Sequence, residues 1–300
     1  MSQTIYWIVT IILFVAGLYL LAVMERWITY GRFDLLAPFR RCLALLGQES
    51  VTPRKMDKVF YETAPLLFIV ATLMAAMILP FGKGSPAIDL ATGALFINAA
   101  LAYIMVSILM AGWAPNGVYA MIGGWRFLGQ LIAYSMPIVM AITATVMRAE
   151  SMALTEIVNS QQSLWNIIYQ PVGFLLFYLS AMAMAFLPPF DLPTAPGTLA
   201  GGVWAEFTAE RLLVFRIGRL ALIMTLSLAT TILFLGGWHG PWLPDYLWTF
   251  LKTLAVAASF FGVSRFAVRI RFDSLLEWSW KFATPAALFN ILWVGILLLL

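Results

Sequence analysis

The stretch Ile5–Met24 reads IYWIVTIILFVAGLYLLAVM, twenty residues without a charged side chain. A helix of about 20 apolar residues crosses the hydrocarbon core of a bilayer, so this run predicts a membrane span. No basic residue precedes it, and it is longer than a leader's apolar core, so it reads as a retained helix and not a cleaved signal peptide. Seven more runs follow. With the first, the predicted spans are approximately 5–24, 64–81, 91–112, 127–147, 167–187, 220–238, 246–263 and 282–300. Alternating barrel strands of ~10 residues are absent. Lipid then leaves only a helical bundle, because every backbone polar group must be satisfied internally. The expected fold is an all-α integral membrane protein, a bundle of about eight transmembrane helices forming one membrane domain over 1–300. No internal repeat is visible, so an inverted-repeat transporter is not indicated.

Composition agrees with that reading. Of 300 residues, 62% are apolar and 11% charged, against about 45–50% and about 25% in a soluble domain. Mean hydropathy is +0.91. One cysteine, Cys42, and one histidine, His239, exclude a disulfide scaffold and a structural zinc site. The net charge of +4 is not a nucleic-acid footprint, because its distribution has another cause. Fifteen of the eighteen Lys and Arg fall in the odd-numbered loops or at their edges, leaving only Lys83, Arg148 and Lys252 on the other side. The positive-inside rule places the odd loops in the cytoplasm and both termini outside.

Two of those loops, 25–63 and 188–219, are too long for simple connectors. In the first, Leu35, Leu36, Phe39, Leu43 and Leu46 recur at helical spacing among Arg32, Arg40 and Arg41. This predicts an amphipathic helix lying in the interface, its apolar face toward lipid or the bundle. The same arginines also read as a positive-inside anchor with no site. The second loop opens with Pro188-Pro189-Phe190-Asp191-Leu192-Pro193. Its prolines end the fifth helix and set Asp191 just past the membrane edge. Glu206, Glu210, Arg211, Arg216 and Arg219 follow. In the last loop, Arg265 and Arg269 are four apart and share a helical face. Opposed charges on these loops would frame a polar cavity, although ordinary solvated loop charge explains them as well. No acidic residue lies in mid-span, and Glu25, Glu62 and Glu206 are the acids near span ends. His239 reads as a structural outer-loop residue and Cys42 as a small apolar one.

Taken in order, several motifs resemble one membrane-arm family of bacterial NADH:quinone oxidoreductase (respiratory complex I), the family of its H subunit and of the mitochondrial counterpart, subunit 1. They are Gly112-Trp113-Ala114 with Tyr119-Ala120, Gly123-Gly124-Trp125-Arg126, Gln130 with Ala133-Tyr134, and Pro189 to Pro193. The set continues with Leu233 to Trp238, Arg269 to Asp273, Trp280-Lys281, and Asp57-Lys58 before Ala64-Pro65. The resemblance implies eight helices, outside termini, a bacterial inner membrane, and odd loops that form the base of a quinone chamber under a peripheral arm. It carries Arg26, Asp191, Glu206, Arg265 and Arg269 over as chamber residues. Glu25 and Glu206 become candidates for proton uptake, and Phe39, Arg40 and Arg41 part of the interfacial helix. Quinone would be the bound substrate. Iron–sulfur clusters would sit in partner subunits only, since their ligation needs about four thiolates and this chain has one. Expected partners are the peripheral-arm subunits, neighbouring membrane-arm subunits and lipid, with no nucleic acid.

The chain also departs from that family. Where relatives carry acids, it has Ser135, Met184, Thr194, Pro196, Thr198 and Arg219, and Leu187 stands where they have an arginine, whereas Glu206 is kept. The carboxylate set that links chamber to proton channels is therefore depleted. Two other readings stay open at the sequence level. One is the anchor subunit of a complex I-related membrane-bound hydrogenase, and the other a structural membrane scaffold without quinone binding.

Overall fold

The computed structural model describes residues 3–83 and 90–299. It is built from helices α1 (Gln3–Tyr30), α2 (Ala37–Leu46), α3 (Lys58–Ile78), α4 (Gly93–Trp113), α5 (Val118–Ala149), α6 (Leu154–Asn159) and α7 (Asn166–Tyr169). Then come α8 (Pro171–Met184), α9 (Pro196–Leu199), α10 (Ala209–Phe234), α11 (Asp245–Phe266), α12 (Phe272–Trp278) and α13 (Thr284–Leu299). A π-helical turn, Ser279–Ala283, joins the last two into one rod. Among the described residues there is no strand, as lipid solvation requires.

Seven of these helices are long and apolar enough to cross a membrane: α1, α3, α4, α5, α10, α11 and the α12–α13 rod. The fifth predicted span is the exception. Pro171 starts a helix of only 14 residues there, preceded by the separate turn of α7. Pro171 takes the first helical position, where its missing N–H costs nothing.

Several helices run well past the apolar stretches that announced them. α1 continues through Glu25 and Arg26, and α5 starts nine residues before Phe127 and includes Arg126. α10 starts at Ala209, so Arg211, Arg216 and Arg219 lie on a helix, not in a connector. Hydropathy marks the hydrocarbon, whereas backbone hydrogen bonding continues into the headgroup layer, where long charged side chains reach water.

The core is organised around α10. Its residues from Ala221 to Phe234 are buried without a break, as expected of a helix enclosed on all sides. It packs against α1, α3, α8 and α11. Thr225, Thr230 and Thr231 return their hydroxyls to carbonyls one turn back, at 2.7–2.9 Å, so none is left unsatisfied in the core. α4 and α5 cross on small residues. A Cβ added to Gly112 would come within 2.8 Å of the Gly124 Cα, the close approach that glycines permit between membrane helices. Ile8, Ile11, Ile12 and Val15 of α1 face out of the bundle.

Lys252 lies inside the stretch read as the seventh span. Its ammonium donates to the carbonyls of Leu235, Gly237 and His239 at 2.7–3.0 Å and sits 4.4 Å from the Trp165 ring. Carbonyls left over at the end of α10 thus take up the charge. Gln161 and Asn166 lace the same end. Gln161 bonds the Ile232 carbonyl and the Gly236 N–H, and Asn166 the Leu233 carbonyl.

Candidate functional site

The charged residues gather at the end of the bundle where α1 finishes, α10 starts and the 188–208 segment crosses. Prolines at 188, 189 and 193 stop this segment from continuing α8, and it folds back onto α5. Gln130, fully buried in α5, donates its amide to the Ala183 carbonyl at 2.8 Å and the Phe190 carbonyl at 2.9 Å. That one side chain fixes the exit of α8 and the turn carrying Asp191. The returning part of the segment passes so close to α5 that a Cβ on Gly123 would meet the Val203 N at 2.7 Å and the Pro193 O at 2.8 Å. Gly202 has φ +56°, and a Cβ there would lie 1.9 Å from the Pro193 oxygen, so only glycine fits.

Asp191 is buried, and its carboxylate accepts from the Arg269 guanidinium at 2.7 Å. The second carboxylate oxygen has no protein partner among the described residues. The Ile270 N–H donates to the Pro189 carbonyl at 3.3 Å, so the Asp191 turn and the segment after α11 form one unit. Arg265 donates to the Ile28 carbonyl at 3.0 Å and ties the end of α11 to the end of α1.

Arg26 lies elsewhere. It lines a cavity of about 530 Å³ between α1, α2 and α10, with Glu25, Arg41, Cys42, Trp204, Arg216 and Arg219 among its walls. Glu25 pairs with Arg219 at 3.2 Å, and Arg219 also donates to the Ala185 carbonyl at 3.3 Å.

Glu206 forms a third group. Its side chain covers Gly117, where a Cβ would stand 2.8 Å from Oε1, and its carbonyl accepts the Tyr61 hydroxyl at 2.9 Å. The Tyr61 ring stacks on Phe207 with centroids 4.6 Å apart. Nearby, Arg211 pairs with Glu62 at 3.0 Å and bonds Ser50.

Among the predicted site residues, Asp191 and Arg269 are therefore in contact. Arg26 and Glu25 share a cavity, Arg265 braces α1, and Glu206 groups with Tyr61 and Gly117. The α2 helix forms where the spacing placed it. Its stripe of Phe39, Leu43 and Leu46 points away from the protein, as do Leu35 and Leu36 just before it, while Ala37 and Leu45 are buried against the bundle. Arg40 and Arg41 are both exposed, Arg41 at the rim of the cavity. The Tyr19 hydroxyl bonds the Leu35 carbonyl and holds the approach to α2 on α1.

Sequence reasoning missed the structural parts played by Gln130 and Tyr61. Gln130 had a signal, since an amide inside an apolar stretch needs partners. Tyr61 had none, because it looks like any interface aromatic.

Comparison with known proteins decides the family. A model described as NADH dehydrogenase matches residues 2–295. The chain belongs to this family. Its relatives include the NADH-quinone oxidoreductase H subunit 1 of Geobacter metallireducens, 37% identical over 279 residues, which cover 90% of this chain and 85% of that one. Another is the NADH-quinone oxidoreductase H subunit of Geobacillus kaustophilus, 36% identical over 265 residues, 87% and 80% of the two chains. The corresponding H subunit 2 of Rhizobium meliloti is 32% identical over 277 residues, 89% and 84%. Membership in the H-subunit family of complex I accords with the membrane bundle, and the hydrogenase-anchor reading is not favoured. As a member of that family the chain is a multi-pass membrane protein and one component of an oxidoreductase assembly.

Proposed function

We propose that this chain is the membrane-arm subunit that docks a peripheral arm and supplies part of a quinone chamber at the α1–α10 end of the bundle. The observation that carries this reading is the Asp191–Arg269 pair. A buried carboxylate is expensive unless paired and hydrogen-bonded, and here it is held on a proline-framed turn that Gln130 anchors from within the membrane core. Such a built turn at a membrane edge is more than connector charge. A quinone headgroup is a neutral pair of carbonyls that needs a few polar partners in an otherwise apolar pocket. Arg265, Arg269, Asp191, Arg26 and Glu206 are the polar groups proposed to surround it, from the ends of α1 and α11 and the segments that follow α8 and α11.

The substrate is quinone, and the electrons reach it from an iron–sulfur cluster in a peripheral partner. Cys42 is a single thiol and half-buried beside arginines, so this chain holds no such cluster itself. The chain's own contribution is to position loops, exclude lipid and present charge. The odd loops face the bacterial cytoplasm and both termini the outer side of the inner membrane. The eight-span arrangement counts α8 as a short fifth crossing.

Asp191→Lys tests the reading. In the assembled complex it places two cations together where an ion pair was, and quinone reduction falls by about tenfold or more, the scale of about 1.4 kcal/mol. Unchanged turnover and unchanged inhibitor binding in a correctly assembled Asp191→Lys complex would reduce Asp191 to a structural loop charge.

A further inference from the structure

Both halves of the Asp191–Arg269 pair lie on segments without a helical ladder, so other contacts have to place them. On the Asp191 side, Gln130 of α5 holds the turn through the Ala183 and Phe190 carbonyls. On the Arg269 side, α11 ends at Phe266 and α12 starts at Phe272, and residues 267–271 belong to neither helix. Arg265 and the Ile270 N–H tie this stretch to the Ile28 and Pro189 carbonyls. Neither bond fixes the end of the stretch that enters α12. Arg269 stands three residues before that end, at most about 11 Å of chain, so the seat of Phe272 sets where its guanidinium can reach.

That seat is on α5. Phe272, Leu275, Leu276 and Ser279 recur at helical spacing, and α12 packs on α5. A Cβ added to Gly129 of α5 would collide with Cζ and Cε2 of the Phe272 ring, so the ring fills the notch that glycine leaves. One turn further along α5 there is a second contact. Pro137 lies inside the helix and has no N–H, which frees the Ala133 carbonyl four residues before it. The buried Ser279 hydroxyl donates to that carbonyl. Ser279 is also where the rod turns π-helical, over Ser279–Ala283, and such single π turns are frequent at functional sites. Gly129 and Ala133 are one turn apart on one face of α5, and Gln130 lies between them in the chain. A single turn of α5 therefore touches both segments that carry the pair.

We propose that the Gly129–Ala133 turn of α5 is the common seat of the two halves of the site, with Phe272 and Ser279 as positioning residues that set Arg269 against Asp191. The consequence for turnover rests on the reading of that pair as part of the quinone chamber. The seat itself is a statement about residues 267–271, and the Ile270 amide reports on it without any quinone.

The test reads hydrogen exchange of the peptide containing Ile270 and the steady-state kinetics of a soluble quinone, both in the assembled complex. In Gly129→Ala the Ile270 peptide exchanges about tenfold faster, because the segment opens locally. The KM for quinone rises about tenfold with kcat within about twofold, the split expected when ground-state binding is lost. Gly129→Ala/Phe272→Leu, whose leucine lacks the colliding ring atoms, returns both readings to within about threefold of the parent, since two residues in contact do not act additively. Ser279→Ala, which removes the second contact without adding an atom, moves both readings in the same direction as Gly129→Ala. Gly262→Ala, in open space on α11, changes neither. Unchanged exchange in Gly129→Ala and Ser279→Ala overturns the proposal, and so does a double variant no better than Gly129→Ala alone. If Gly129→Ala fails to assemble and the double variant assembles, the seat is supported; if neither assembles, Ser279→Ala decides by the same two readings. Faster exchange that Phe272→Leu restores, with KM unmoved throughout, supports the seat and counts against the quinone reading of the pair instead.

Discussion

At the residue scale, the chain separates charges that are committed from charges that remain available. Arg269 and Arg219 are held by carboxylates, and Lys252 by three carbonyls. Glu206 is only half-buried and takes part in no ion pair among the described residues. We propose Glu206, free of such a pair, as the acid that takes up a proton, ahead of Glu25, whose carboxylate is committed to Arg219. Glu206→Gln in the reconstituted complex is expected to lower the proton-to-electron ratio as well as turnover, so that proton translocation falls further than quinone reduction when the two are measured separately, since losing a proton-transfer group slows that transfer by roughly 10²-fold or more. A normal ratio in the variant would remove Glu206 from the proton path. His239 gives a second prediction at this scale. Its ring donates to the Val158 carbonyl at 3.1 Å, and partial burial holds its pKa below the usual histidine range. A histidine lowered on folding binds fewer protons folded than unfolded, so its contribution is full above its unfolded pKa, about 6.5, and is lost as pH falls through the lowered value. Thermal midpoints measured from pH 7.5 to 5 should fall less steeply for His239→Gln than for the parent. Identical slopes would mean that the ring does not report on folding.

At the element scale, two kinds of contact hold the site. One is backbone-to-backbone approach over glycine. α4 and α5 meet at Gly112 and Gly124, and the 188–208 segment meets α5 at Gly123. Such crossings cannot relax around a larger side chain, since the obstruction is main chain. Gly112→Leu should push α4 off α5 at a cost of about 1–3 kcal/mol, visible as a lower thermal midpoint in detergent and as faster proteolysis of the 188–208 segment. A midpoint indistinguishable from the parent's would show that the crossing is loose. The other kind is side chain to main chain across elements: Gln130 to Ala183 and Phe190, Arg265 to Ile28, and Arg219 to Ala185. Each directs a strong donor to a carbonyl at or beyond a helix end, which is how irregular backbone survives at membrane depth.

At the scale of the whole molecule, Lys and Arg divide between the two ends of the bundle, fifteen against three. Positive loops are retained on the cytoplasmic side during insertion, so the site end should face the cytoplasm. In a Cys42→Ser background, single cysteines at Gln162 and Thr198, both exposed, should react with an impermeant thiol reagent from opposite sides of the membrane, because α8 alone lies between them as a crossing. Reaction of both from one side would mean that α8 does not cross. The same view explains why α10 is the centre of the molecule. It is the helix whose membrane part is buried on every face, and its charged beginning supplies Arg211, Arg216 and Arg219 to two neighbouring clusters.

The sequence by itself determined the membrane class, the all-helical bundle and the amphipathic α2, because hydrocarbon solvation acts locally and leaves a pattern twenty residues long. The ordered motifs also carried the family. What the sequence did not determine was where helices stop. Hydropathy ends at the first charge, while the backbone ladder of α5 and α10 continues for another turn or more, so Arg211, Arg216 and Arg219 looked like loop residues. Nor did it determine which charges meet. Asp191 with Arg269 is a pairing across 78 positions, Glu25 with Arg219 one across 194, and Arg211 with Glu62 one across 149. No periodicity encodes a contact between residues so far apart in the chain. Only the tertiary structure decided them, because a charge at a membrane edge takes whichever partner the packing of the helices brings within reach, and that packing is set by distant small residues such as Gly112, Gly123 and Gly124.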